Sequence, residues 1–183
     1  MLVWFDCETT GLDPALCAML EVAVVLTDDA LAERAVFTTP ILFRGHIPNE
    51  WARKQHEKSG LLAECHAAKK GTGEVEGEIL EFLRTHGVAE KAGVLAGSSI
   101  HFDRSFIRSH MPRLDAHLHY RMADMSSLNE LSSRFARPVY EGRPTVPKEQ
   151  IAHRALADIR ASIGTLQYYI DRGLFGLDAG KVA

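Results

Sequence analysis

A mixed α/β fold, one five-stranded sheet flanked by helices, is predicted by three features of the 183-residue sequence. Its opening segments are rich in branched and aromatic residues, its middle alternates helical with strand-like patterns, and its last long segment carries an apolar stripe at helical spacing. Met1 to Phe5 and Met19 to Thr27 (MLEVAVVLT) read as strands, with Arg34 to Phe43 as the third. Asp28-Asp29-Ala30 is the turn between the last two, so the chain opens as an antiparallel meander. Short helices are expected from about Asn49 to His66, and Val75, Ile79, Phe82 and Leu83 give a longer one over Gly73 to His86, ended by Gly87. Val94-Leu95-Ala96 is a short buried strand, followed by a helix over Phe102 to His110 that stops before Pro112. His119 to Ala123 is the fifth strand. Ser127-x-x-Glu130 has the form of a capping box opening a helix toward Phe135, and Arg137 to Pro147, with its prolines and glycine, reads as a loop. Ala155, Ile159, Ile163, Leu166 and Ile170 form one stripe of the final helix.

The length suits one domain with a continuous core, expected over residues 1–176, with residues 177–183 as a flexible C-terminal tail. A mean hydropathy of −0.09 belongs with globular rather than disordered or membrane chains, and no apolar run approaches the roughly 18 residues that a spanning helix needs. Met1-Leu2-Val3-Trp4-Phe5 runs straight into the acidic motif described next, leaving no room for a leader, so a cytoplasmic location and no membrane partner are expected. Cys7, Cys17 and Cys65 are odd in number and irregular in spacing, which fits reduced core residues rather than disulfides or a zinc site. The net charge of −3 argues against a coat for long nucleic acid. Residues 101–160 nevertheless carry ten Lys/Arg against seven Asp/Glu, a balance that suits a short anionic ligand.

Chemistry is first suggested by Asp6-Cys7-Glu8 at the end of the first strand, where alternation puts both carboxylates on one face and the cysteine on the other. Alone, Asp-x-Glu is more often a solvated edge. Behind it, Thr9-Thr10-Gly11-Leu12-Asp13-Pro14 is a tight turn in which Gly11 permits close backbone approach and Leu12 stays exposed beside the acids. Asp103 opens the helix after the fourth strand, and Asp158 lies one turn into the final helix at the edge of its apolar stripe. Each alone is more often a surface acid; together they suggest a site, because the ends of neighbouring elements converge at one sheet edge. Two like charges about 4 Å apart cost about 4 kcal/mol at an effective dielectric near 20, so clustered carboxylates call for cations. All-oxygen ligation selects Mg²⁺ or Mn²⁺, and two such ions can activate water and stabilise a leaving oxygen. The base would be His153, five residues before Asp158, since histidine is the side-chain type that exchanges protons near neutral pH.

In this order, Asp6-x-Glu8, Asp103 and His153-x-x-x-x-Asp158 resemble the three motifs of the DEDD exonucleases in their histidine subclass. Within it the chain is similar to the oligoribonuclease family along nearly its whole length, through WFDCETTGLDP, HEKSGLL, SSIHFDRSFIRSHMP, HLHYRMADMSSLNEL and HRALADIRASIGTLQYYI. The resemblance implies a ribonuclease H-like sheet, a homodimer, and 3′-to-5′ conversion of very short RNA into mononucleotides. It implies two metal ions on Asp6, Glu8, Asp103 and Asp158, with His153 activating water. It further implies that Leu12 and Trp51 wedge and stack the terminal bases, that His56 and Ser99 bind near the substrate phosphates or sugar, and that Tyr120 reaches into the neighbouring subunit's site to cap the 5′ side. Ser98 departs from the family's usual asparagine beside the third acid, which puts one hydrogen bond there in question. Two rivals are an exonuclease of the same superfamily acting on longer single strands and a catalytically silent domain that binds nucleic acid or a partner.

Overall fold

The computed structural model of the chain describes residues 1–145 and 153–176. Its centre is a five-stranded sheet in the order β3-β2-β1-β4-β5, formed by β1 (Leu2–Thr9), β2 (Met19–Thr27), β3 (Glu33–Pro40), β4 (Val94–Gly97) and β5 (Met122–Asp124). β1 to β3 are the antiparallel meander, and β4 and β5 run parallel to β1, as crossover connections through helices require. All nine residues of β2 are buried, which accounts for its near-continuous apolar run: helices cover both of its faces. One core layer joins Val3, Phe5, Val22 and Val24 to helices α3 (Thr72–Thr85), α4 (Ile100–His110) and α5 (Pro112–His117). On the other face, Trp4, Ala23, Val25 and Ala96 pack against Ala155 and Ile159 of α8 (Ala155–Asp171) and Met125 of α6 (Met125–Phe135).

The two faces place the acids. Asp6 stands opposite Ala23 and Glu8 opposite Glu21 in the β1–β2 register, so Asp6, Glu8 and Glu21 share the α8 face while Cys7 enters the other core. The register slips immediately after Glu8, a bulge that re-aims the chain into the Thr9–Pro14 turn. Gly97, at the end of β4, has to be small because a β-carbon there would come within 2.9 Å of the Phe5 carbonyl oxygen of β1. Gly11 is small for a similar reason: its missing β-carbon makes room for the Cys17 thiol, a packing role beside the ligand approach expected from the sequence.

Several boundaries differ from the sequence-based expectation. β1 continues through the acidic motif to Thr9, and β3 stops at Pro40, where the chain leaves the edge of the sheet. The fifth strand is only Met122–Asp124; His119 to Arg121 lie outside it, where Arg104 donates a hydrogen bond of 2.7 Å to the His119 carbonyl oxygen. α6 is capped by Asp124, which accepts from the Ser126 backbone N–H at 2.9 Å, and not by the expected Ser127, whose hydroxyl instead donates to Asp124. The capping box fails because Asp124, three residues earlier, already satisfies the helix start. Arg137–Glu141 forms a short helix, α7, where a loop was expected; Pro138 fits because its missing N–H falls in the first helical turn. Residues 146–147 of that expected loop and the expected tail at 177–183 lie outside the described residues. Between Asn49 and His66 there are two helices, α1 (Glu50–Lys58) and α2 (Leu61–Ala67), as the pattern predicts.

Candidate active site

At the C-terminal end of β1, one carboxylate oxygen each from Asp6, Glu8 and Asp158 lies within 4.8 Å of the other two. β1 supplies two of these acids two residues apart, and the first turn of α8 lowers Asp158 onto them from across the sheet face. The fourth predicted acid, Asp103, comes from α4 on the opposite side and is not within that trio. It is tied to the same strand by Cys7, whose backbone N–H (3.0 Å) and thiol (3.2 Å) both donate to Asp103 Oδ1. Its charge still reaches the trio, since it is the strongest electrostatic influence raising Asp6.

Burial raises all four groups, and at Asp6 and Glu8 repulsion from neighbouring acids adds to it. Asp6 is held well above the usual carboxylate range by burial, then by Asp103, Asp158 and Glu8. Burial followed by Asp158 and Glu21 pushes Glu8 to about 7, and burial pushes Asp103 to about 6 against the opposing hydrogen bonds from Cys7. Asp158 is raised by burial as well, partly offset by nearby His153. A set of hard oxygen donors whose ionisation is suppressed by its own crowding fits a divalent cation: the trio could hold one such ion, which would relieve the repulsion.

Beside the acids a cleft of about 270 Å³ is lined by Glu8, Leu12, Trp51, His56, Phe102 and His153, among others. His153 enters it from just before α8 with a left-handed backbone (φ 46°), and its ring meets Trp51 edge-on at 5.5 Å. Leu12 is 79% and Trp51 63% exposed, so neither anchors the core; both offer bare apolar surface at the cleft mouth. His56 is buried, and its Nε2 is 2.9 Å from the Thr9 carbonyl oxygen. That contact requires Nε2 to carry the proton, which leaves Nδ1 a lone-pair acceptor with no partner among the described residues. Burial lowers the His56 pKa, which disfavours an ion pair across its 4.0 Å approach to Glu8.

Five of the sequence-predicted residues thus surround the trio and its cleft: Leu12, Trp51, His56, Asp103 and His153. Two do not. Ser99 sits at the start of α4 in an exposed left-handed position, its N–H donating to Asp124 and to the Ser126 hydroxyl at 2.9 Å each. Tyr120 is 70% exposed, stacked on His119, and is neither in a strand nor in the core. Ser98 donates to or accepts from Ser162 of α8 at 2.8 Å, so the position that departs from the family's asparagine has a hydrogen bond of its own. Glu21 escaped sequence reasoning. Its signal was a single carboxylate inside the apolar run MLEVAVVLT, at a position that alternation assigns to the face of Asp6 and Glu8. Arg154, the residue after His153, is committed to Glu21 and Glu64.

The chain is similar to known proteins over most of its length. The exonuclease (RNase_T) family model matches residues 3–166. An oligoribonuclease of Mycolicibacterium paratuberculosis is 41% identical over 92% of this chain and 79% of its own length. The mitochondrial oligoribonuclease of Saccharomyces cerevisiae is 37% identical over 94% of this chain and 67% of its own. A solved structure of E. coli exonuclease I with a dT13 oligonucleotide superposes with a TM-score of 0.71 at 18% identity. It covers 96% of this chain, which spans 42% of that protein, and the likeness concerns the fold. With a family model over most of its length and relatives at this identity, the chain belongs to the exonuclease family, among the oligoribonucleases.

Proposed function

We propose that the protein removes nucleotides from the 3′ end of very short single-stranded RNA, releasing nucleoside 5′-monophosphates. The observation that carries this reading is the meeting of Asp6, Glu8 and Asp158 beside a cleft that also contains His153, Leu12 and Trp51. Asp6, Glu8, Asp103 and Asp158 would hold two divalent cations, Mg²⁺ or Mn²⁺, which when bound ease water deprotonation and offset charge on the phosphate and leaving oxygen. His153 takes the proton from the attacking water. The water oxygen forms a bond to the terminal phosphorus in line with the O3′ that departs, and that O3′ is protonated to give the shortened RNA.

Leu12 and Trp51 would receive the terminal bases, their exposed apolar faces serving as wedge and stacking surface. His56 Nδ1, without a partner among the described residues, suits a sugar hydroxyl, which can donate to it. Ser99 would bind the phosphate or sugar further along. The exposed ring of Tyr120, unclaimed by its own core, supports a role in capping the 5′ side of a second subunit's site. In sedimentation the protein is then expected as a dimer, and Tyr120→Ala should slow dinucleotide cleavage. A monomer at assay concentrations would remove this role. Residues 1–176 as one exonuclease domain, and a cytoplasmic location, belong to the same proposal; among the described residues no helix is long and apolar enough to cross a membrane.

The test is turnover of a labelled diribonucleotide and of a twenty-residue RNA in Mg²⁺ or Mn²⁺. The dinucleotide should yield mononucleotides faster, because a capped site excludes length. Equal or faster cleavage of the long strand would favour an exonuclease for longer RNA or DNA, and no metal-dependent product from either would favour a silent binding domain.

A further inference from the structure

We propose that Glu21 and Arg154 act as positioning residues: together they clamp the start of α8 to the sheet and thereby hold His153 in the cleft. This rests on the reading of His153 as the base. Glu21 is only 3% exposed, on the α8 face of β2 and opposite Glu8 in register. Its Oε1 accepts from Arg154 Nη2 at 2.7 Å, and its Oε2 accepts from Arg154 Nε at 3.1 Å and from the Ala155 backbone N–H at 3.0 Å. The other edge of the guanidinium donates to Glu64 of α2 through Nη1 (3.1 Å) and Nη2 (2.8 Å). One planar fork therefore joins β2, α2 and α8.

Among the described residues, helix α8 has no local side-chain cap: its N-cap position is Arg154, which makes no side-chain cap bond. Glu21 supplies the missing acceptor from a strand 134 residues earlier in the chain. The carboxylate also places negative charge at the positive end of the helix. His153, directly before the clamp, holds a left-handed backbone that a residue with a β-carbon keeps only when its surroundings dictate it. Fixing Arg154 on one side fixes the direction in which His153 leaves. The clamp answers an electrostatic need as well. Glu21 raises Asp6, Glu8 and Asp158, and without Arg154 a further buried carboxylate would face the acid cluster unpaired.

Breaking only Arg154 would strand Glu21 inside the protein, so the test uses the paired variant E21Q/R154M, which removes both charges, and R154K, which keeps the charge but cannot make the fork. Both are expected to lower kcat on a diribonucleotide roughly 10- to 100-fold with KM little changed. Neither should lower it further when combined with H153A. A wild-type rate in R154K, or an equal loss in the H153A background, would overturn the clamp. The second readout needs no metal and no turnover: the nuclear Overhauser contact between the His153 and Trp51 rings in metal-free protein. It should be lost in E21Q/R154M, and its persistence would overturn the proposal. If H153A itself left the rate unchanged, the reading of His153 as base would fail, and the ring contact alone would still decide whether the clamp positions it.

Discussion

Asp158→Asn is expected to reduce turnover by more than about 100-fold, since groups merely supporting a metal ligand already cost 10- to 100-fold. The same change should make the metal-free protein more stable at about pH 8. Both effects have one cause. Asp6, Glu8, Asp103 and Asp158 are all raised by burial in the folded protein, Asp103 to about 6 and Glu8 to about 7. A carboxyl raised on folding binds its proton to higher pH in the folded than in the unfolded chain. Its contribution to stability is complete below the ordinary carboxylate range and is lost as pH rises through the folded value. The thermal midpoint of protein stripped of metal should therefore fall between about pH 5 and about pH 8, and added Mg²⁺ or Mn²⁺ should restore it. Asn at position 158 removes one of the crowded charges, so its midpoint should fall less over the same range. Scanning calorimetry with and without chelator measures all three. A flat pH profile in the chelated wild type, or a lower midpoint for D158N at pH 8, would mean that the acids do not form a repelling pocket.

His153→Ala should slow turnover by about 10²- to 10⁴-fold, the range for losing a general base. Its effect on KM for a diribonucleotide should be small by comparison, because Leu12 and Trp51 carry the base contacts in the proposed function. Stability discriminates a chemical from a structural role. At φ 46° His153 occupies a region that disfavours any β-carbon, by about 1–2 kcal/mol. His153→Gly relieves that strain at the cost of more backbone entropy in the unfolded chain, about 0.5–1 kcal/mol. The glycine variant should thus be as inactive as the alanine variant yet unfold at or above the wild-type temperature. Inactivity accompanied by a large loss of stability in both would assign His153 to the fold. An unchanged rate in both would assign the proton transfer to another group.

Much of this was legible in one dimension. β2 could be recognised because a strand covered on both faces is apolar throughout, and α8 because its stripe recurs at helical spacing. Asp6 and Glu8 were placed on one face by the two-residue period of a strand, whose geometry is local. The elements that escaped were decided by partners remote in sequence. Ser127 and Glu130 satisfied a local pattern, but Asp124 took the helix start because the end of β5, paired to β4, put it there. Tyr120 read as strand, yet the ladder begins only at Met122.

The sequence by itself determined the kind of chemistry: which side chains are acids, which is the histidine, and in what order they occur, since local alternation and motif spacing carry that information. Only the tertiary structure decided that Asp6, Glu8 and Asp158 form the close trio while Asp103 approaches through Cys7, and that Glu21 belongs beside them. The physical reason is that burial and charge–charge repulsion act through space. The cost of an ionised carboxylate depends on what is packed within a few ångströms of it, and those neighbours come from strands and helices that the linear chain keeps far apart.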